Sequence, residues 1–256
     1  YGQKFWADEY RLNEKIANYK KPFVAFMQGF TMGGGVGVSC HGSHRIVGET
    51  SKIAMPECSI GLVPDVGGSF LLAKLPGNIG TFLGTTGKRM SASDAIYCGF
   101  ADYFVPEKKW EGLKEKLVTT GNVDWIKKFQ ESTQTSEIEK SYSQISEAMV
   151  DISPKNIESR LKHPFFEKDL SALSFNSPIS VAYTIMMLKM EKVQNNISDA
   201  LDAEYSFTAR SQEFGDFQEG IRAAVIDKDR NPIWKHKSLT EVSEEDLQPF
   251  FQTIHR

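Results

Sequence analysis

Residues 33–35 are three consecutive glycines, set directly after the apolar run PFVAFMQGFT and before the small-residue stretch VGVSCHGSH. A buried strand that runs straight into bare backbone and then into a helix leaves few folds open. One glycine is enough for a tight turn; three in a row point to a ligand approaching the main chain. A phosphate loop needs GxxxxGK[ST], and GTTGKR (residues 84–89) carries its GK in the wrong frame. A dinucleotide fingerprint needs GxGxxG, which GGGVG does not supply. The remaining reading is an oxyanion site, in which free N–H groups at a helix start hold a developing negative charge.

The flanking chain fixes the fold class. KPFVAFMQG reads as a strand covered on both faces, RIVGETSKIAMPE as two short strands around Gly48 and Glu49, and DVGGSFLLAKLP as a helix with Asp65 at its N-cap. SASDAIYCGFADYFVP gives a helix from Ser93 and a strand ending at Pro106. To that point strands and helices alternate, an α/β pattern. Beyond Pro106 the segments are helical and more charged, and 198–228 reads as one amphipathic helix. The tail from Asn231 is polar with a few aromatic anchors and is expected to drape over the surface.

Composition narrows the function classes. A net charge of −3 over 256 residues leaves no basic footprint for nucleic acid, and no apolar stretch reaches the roughly 20 residues of a membrane span. Cys40, Cys58 and Cys98 are widely spaced and odd in number, which fits free thiols in a reducing compartment and no zinc site. The opening YGQKFWADEY reads as a helix already under way, not as a signal or transit peptide.

Carboxylates then stand out. Glu9 falls with Phe5, Leu12 and Ile16 on what reads as an apolar helical face, where a charge needs a partner or a task. Glu57, at a strand end among Ala54, Met55, Cys58 and Ile60, has a shell that raises its pKa and suits acid, base or nucleophile work; the alternative is a surface glutamate. Asp65 serves equally as a helix cap. His41 and His44 lack a third ligand, so no metal is assigned; His44 is expected at a helix end, facing its dipole.

The stretches TMGGGVG, MPE followed by SIGLVPDVGG, and FQEGIRAAVIDKDRNPIW resemble the crotonase (enoyl-CoA hydratase/isomerase) superfamily, and within it the 3-hydroxyisobutyryl-CoA hydrolase family. The resemblance implies a spiral of ββα units with a helical C-terminal region. The division expected is a partial crotonase-like core over residues 1–106 and a helical region with tail over 107–256. The family's first strands, its other oxyanion N–H and much of its adenine pocket would lie upstream of residue 1. The resemblance also implies roles: Gly34 N–H as half of the oxyanion hole, Glu57 as catalytic glutamate, Asp65 as the second acid of the hydrolases, and Glu9 as an acidic residue lining the substrate pocket. A hydratase carries a second glutamate where this chain has Gly37, which favours thioester hydrolysis.

The activity so implied is hydrolysis of an acyl-CoA, releasing 3-hydroxyisobutyrate in mitochondrial valine breakdown, with no metal or other cofactor and no direct nucleic-acid or membrane partner. Homo-oligomerisation and association with the mitochondrial ribosome are the partner relations it leaves open. The rival readings are a ribosome-associated structural relative with an idle site, and a hydratase or isomerase of the same fold.

Overall fold

The computed structural model describes residues 1–252, 254 and 256. Helix α1 (Gly2–Ala17) opens the chain and buries Trp6, Ala7, Tyr10, Asn13 and Ile16. The expected apolar face is therefore corrected: Phe5 and Leu12 are exposed. The buried stripe runs through Trp6, Tyr10 and Asn13 because aromatic partners from distant segments wait on that side. Phe217 meets Trp6 edge-on at 5.5 Å and Tyr205 meets Tyr10 at 6.3 Å.

Two strands follow, β1 (Val24–Met27) and β2 (Phe30–Met32), then helix α2 (Gly34–Ser39), then β3 (His44–Val47) and β4 (Lys52–Ala54). β1 pairs with β3 and β2 with β4, both parallel, in registers that match Val24 to His44 and Phe30 to Lys52. Parallel partners need a crossover, and α2 supplies it. The unit is thus strand, strand, helix, repeated. β5 (Tyr103–Phe104) adds to β3, giving the order β1-β3-β5 beside the separate pair β2-β4. As an edge strand, β1 keeps Val24, Ala25 and Phe26 partly exposed, where cover on both faces was expected.

After β4 a 3₁₀ turn (Glu57–Ile60) leads to α3 (Gly68–Ala73), α4 (Ile79–Thr86) and α5 (Ala92–Tyr97), the last started by a capping box between Ser91 and Asp94. The rest is helical: α6 (Trp110–Thr120), α7 (Trp125–Phe129), α8 (Glu137–Lys140), α9 (Tyr142–Ala148), α10 (Ile157–Arg160) and α11 (Glu167–Phe175). Then come α12 (Pro178–Met187), α13 (Glu191–Asn195), α14 (Ile197–Thr208), α15 (Phe217–Ile221) and α16 (Glu244–Phe251). The single helix expected over 198–228 is broken after Thr208. Asp216 accepts hydrogen bonds from Ser177 Oγ and Lys235 N, which ties the intervening turn to α12 and the tail. The tail is not a drape, since α16 buries Leu247 and Phe250, the latter stacked on Phe207 at 4.4 Å. His44 sits on β3 with its ring stacked over Tyr103, not at a helix end.

The main core runs from Trp6 and Tyr10 through Met55, Phe82 and Tyr183 to Phe250, and a smaller one gathers Ile46, Val105, Trp110, Leu113 and Ile126. α14 lies in the main core against both α1 and α3. That packing brings residues about 200 apart in sequence to the turn that follows β4.

Candidate active site

The site is built around the glycine turn between β2 and α2. Gly33 has φ +52 and ψ −125, a conformation closed to residues with a Cβ, and it bends the chain sharply enough to start α2 at once. Gly34 is exposed. As the first residues of a helix, Gly34 and Gly35 have no carbonyl four residues back within it, and neither N–H meets another acceptor among the described residues. Two donors without a protein acceptor among the described residues therefore sit on a turn with no side chains to cover them.

α1 crosses α2 at very short range. A Cβ on Gly34 would stand 2.9 Å from Glu9 Oε1, and one on Gly37 would stand 2.6 Å from Asn13 Nδ2 and 2.7 Å from Val66 Cβ. Gly37 is thus required by contact, with the space beside it already filled. Glu9 is half-buried. On its other side it joins Tyr1, Lys4, Phe5, Asp8 and Leu12 in lining an open groove of about 620 Å³.

Glu57 begins the 3₁₀ turn, three residues beyond the end of β4 and not at a strand end. It is buried, Oε1 lies 3.4 Å from where a Gly33 Cβ would be, and Oε2 has no protein partner. Asp65 is equally buried, but it does not cap a helix: Gly67 holds the N-cap of α3, without a side-chain bond. The physical reason is Val66, a β-branched residue at φ +53, which turns the chain and delays the helix to Gly68. Two groups from elsewhere hold this costly bend. His41 Nε2 lies 2.8 Å from the Val66 carbonyl, and Glu204 of α14 accepts from Gly67 N at 2.8 Å, from Ser69 N at 3.1 Å and from Ser69 Oγ. Freed from capping, the Asp65 carboxylate accepts from Tyr10 Oη at 2.7 Å.

Burial raises the proton affinity of every carboxyl in this cluster. Glu57 is pushed well above the carboxylate range by burial and then by the charge of Asp65. Asp65 rises to about 7 through burial, opposed by the Tyr10 hydrogen bond and assisted by Glu9. Glu204 rises to about 8 through burial, against its bonds to Ser69 and Gly67, and burial raises Glu9 as well. Like charges brought together out of water do not all ionise, so burial and their mutual repulsion favour the protonated forms of Glu57 and Asp65. One carboxylate and one carboxylic acid beside a pair of N–H groups can take a proton from a nucleophile, hold an oxyanion and return a proton.

The structure brings Glu9, Gly34, Glu57 and Asp65 to one place. Tyr10, Asn13, Glu204 and Thr208 are there too, and the sequence reading passed over them. A signal existed for three of these. Trp6, Tyr10 and Asn13 form a helical stripe of their own, and Glu204 lies within the apolar run LDAEYSF as Glu9 was thought to lie among apolar neighbours.

With this geometry in hand, comparison with known proteins is informative. The sequence profile described as enoyl-CoA hydratase/isomerase matches residues 1–251. The protein named 3-hydroxyisobutyryl-CoA hydrolase, mitochondrial, of Mus musculus is 36% identical over 98% of this chain, which spans 69% of that relative. The Homo sapiens protein of the same name is also 36% identical, with 98% and 68% covered. Among solved structures, an enoyl-CoA hydratase from Rhodobacter sphaeroides superposes with a TM-score of 0.92 at 46% identity, covering 97% of this chain and 73% of that one. A carnitinyl-CoA dehydratase from Mycobacterium thermoresistibile gives the same TM-score at 35% identity, with 98% and 74% covered.

Proposed function

Since the chain belongs to the enoyl-CoA hydratase/isomerase (crotonase) family, we propose that it is an acyl-CoA thioester hydrolase, with 3-hydroxyisobutyryl-CoA as substrate, acting in mitochondrial valine breakdown. The observation that carries this reading is the filled space at Gly37. With Asn13 Nδ2 and Val66 Cβ closer than 3 Å to any Cβ there, residue 37 has no room for a carboxylate on the α2 side. The acidic pair available is Glu57 with Asp65, which suits attack on a carbonyl better than addition across a double bond. The names of the mammalian relatives agree with it.

In the mechanism we propose, the thioester carbonyl rests on the Gly34 N–H and the acyl group passes Glu9 on its way in. Glu57 attacks the carbonyl carbon, or takes the proton of a water that does, and the carbonyl π electrons move onto oxygen against the glycine turn. As they return, the C–S bond breaks and Asp65 delivers its proton to the thiolate sulfur. Where Glu57 itself has attacked, a water then cleaves the mixed anhydride, its hydroxyl going to the acyl carbon and its proton to Asp65, which frees the acid and both carboxyls; where a water has attacked, the proton on Glu57 returns to Asp65. Asp65 is also the group within reach of a 3-hydroxyl. Losing one oxyanion donor costs about 2.7–4 kcal/mol of transition-state stabilisation in comparable sites, so the exposed turn is a major part of the rate.

The second reading, a hydratase or dehydratase, is favoured by the names of the two solved structures above. One experiment separates the two. Given 3-hydroxyisobutyryl-CoA, the protein should release free thiol; given crotonyl-CoA, it should form almost no 3-hydroxybutyryl-CoA. Efficient hydration with little thiol release would overturn the hydrolase assignment.

A further inference from the structure

Asp65 is buried, yet the chemistry proposed for it requires that it hold a proton at one moment and release it at another. A buried carboxyl that changes charge must have suitable partners in both states, because an unpaired buried donor or acceptor is costly. Beside Asp65 the structure provides two hydroxyls in series. Tyr10 Oη lies 2.7 Å from Asp65 Oδ2 and 3.3 Å from Thr208 Oγ1, and both hydroxyl residues are inaccessible to solvent. Tyr10 has one hydroxyl hydrogen and two neighbours, so it can donate to only one of them at a time.

We propose that Tyr10 and Thr208 form a reversible hydrogen-bond chain beside Asp65, positioning this carboxyl and pairing it in both of its protonation states; the inference rests on the hydrolase reading for its catalytic meaning. When Asp65 is ionised, Tyr10 Oη–H donates to Oδ2, a short charge-assisted bond. When Asp65 is protonated, its O–H donates to Tyr10 Oη, and the tyrosine hydrogen turns to Thr208 Oγ1. A helical threonine hydroxyl can in turn donate to a carbonyl of its own preceding turn. No atom of the chain moves by more than a hydroxyl rotation, so Asp65 changes charge while the strained Val66 bend stays still. The titratable groups facing the cluster are Glu9 and Tyr10 from α1, Glu57 from the 3₁₀ turn, Glu204 and Tyr205 from α14, and His41 on the Val66 carbonyl. Among the described residues, only Tyr10 of these groups donates a side-chain hydrogen bond to the Asp65 carboxylate.

The chain makes the two ends act in opposite directions, which packing alone would not. Tyr10→Phe removes the partner in both states, but the charge-assisted bond to the carboxylate is the stronger of the two, so the Asp65 titration should rise. Thr208→Val keeps the shape and leaves that bond in place, but deprives the tyrosine of its second acceptor when Asp65 is protonated. It should therefore lower the titration. The displacement expected from one hydrogen bond is up to about one pH unit in each case. The measurement is a carboxyl ¹³C NMR titration of aspartate-labelled protein, with the Asp65 signal assigned by its loss in Asp65→Asn. Thr208→Ser, which keeps the hydroxyl, should leave the titration where it was, and the contrast of Ser with Val carries the test if Tyr10→Phe does not fold. Displacements of opposite sign support the chain, and the acid limb of the thiol-release profile should follow them. Displacements of the same sign, or none in folded variants, would overturn it. Opposite displacements in a protein that releases no thiol would uphold the chain and sink the hydrolase reading instead.

Discussion

Replacing Asp65 by Asn should stabilise the protein at alkaline pH while abolishing most of its activity. Burial takes the Asp65 carboxyl from 3.8 to about 7, so the native state binds its proton more tightly than the unfolded chain does. A group of this kind adds most to stability below the unfolded value, and that contribution is lost as pH climbs towards 7. At about 1.4 kcal/mol for each pH unit, the difference amounts to about 4 kcal/mol once both states are ionised. That is a large share of the 5–15 kcal/mol by which domains are ordinarily stable. Asn keeps an oxygen for the Tyr10 hydroxyl and carries no charge to desolvate. Urea unfolding at pH 4, 6 and 8 should show the variant close to wild type at pH 4 and more stable by up to about 4 kcal/mol at pH 8. Glu57 and Glu204 titrate in the same direction and remain in both proteins, so each loses stability with rising pH, wild type more steeply. Parallel curves for the two proteins would refute the argument, because they would mean that Asp65 is not desolvated by folding.

Glu57→Gln should keep the fold and lower thiol release by about 10²–10⁴, measured by steady-state kinetics; near-normal turnover would remove Glu57 from the mechanism. Gly37→Ala should destabilise by about 1–3 kcal/mol, since its Cβ would overlap Asn13 and Val66. A further Asn13→Ala should recover part of that loss in a double-mutant cycle, and strict additivity would show that the two residues do not meet.

The sequence revealed what was chemically unusual within a short window. Three glycines after an apolar strand, and carboxylates beside Pro56 and Pro64, announce themselves without knowledge of the fold. The α1 face was misread because Phe5 with Leu12 and Trp6 with Tyr10 make two helical stripes one residue apart. Only Tyr205 and Phe217, far along the chain, decide which of them is buried. Asp65 failed as a cap for a similar reason. Pro-Asp before a helix is a sound local pattern, but His41 and Glu204 hold Val66 in a bend that moves the helix start beyond it. Glu204 and Thr208 reach the site through the packing of α14 alone, and no spacing near the glycine turn could have named them.

The close crossing of α1 and α2 also shapes how this chain can change over generations. A carboxylate at residue 37 would supply a second acid–base group beside the first, yet the single substitution that introduces it meets Asn13 Nδ2 and Val66 Cβ at less than 3 Å. Asn13 holds two buried amide atoms without a partner, so shrinking it removes an unsatisfied group, yet Val66 still blocks residue 37. The steric contacts therefore set an order: the neighbours on α1 and at Val66 change before a carboxylate at residue 37 can be accommodated, and the three positions are coupled.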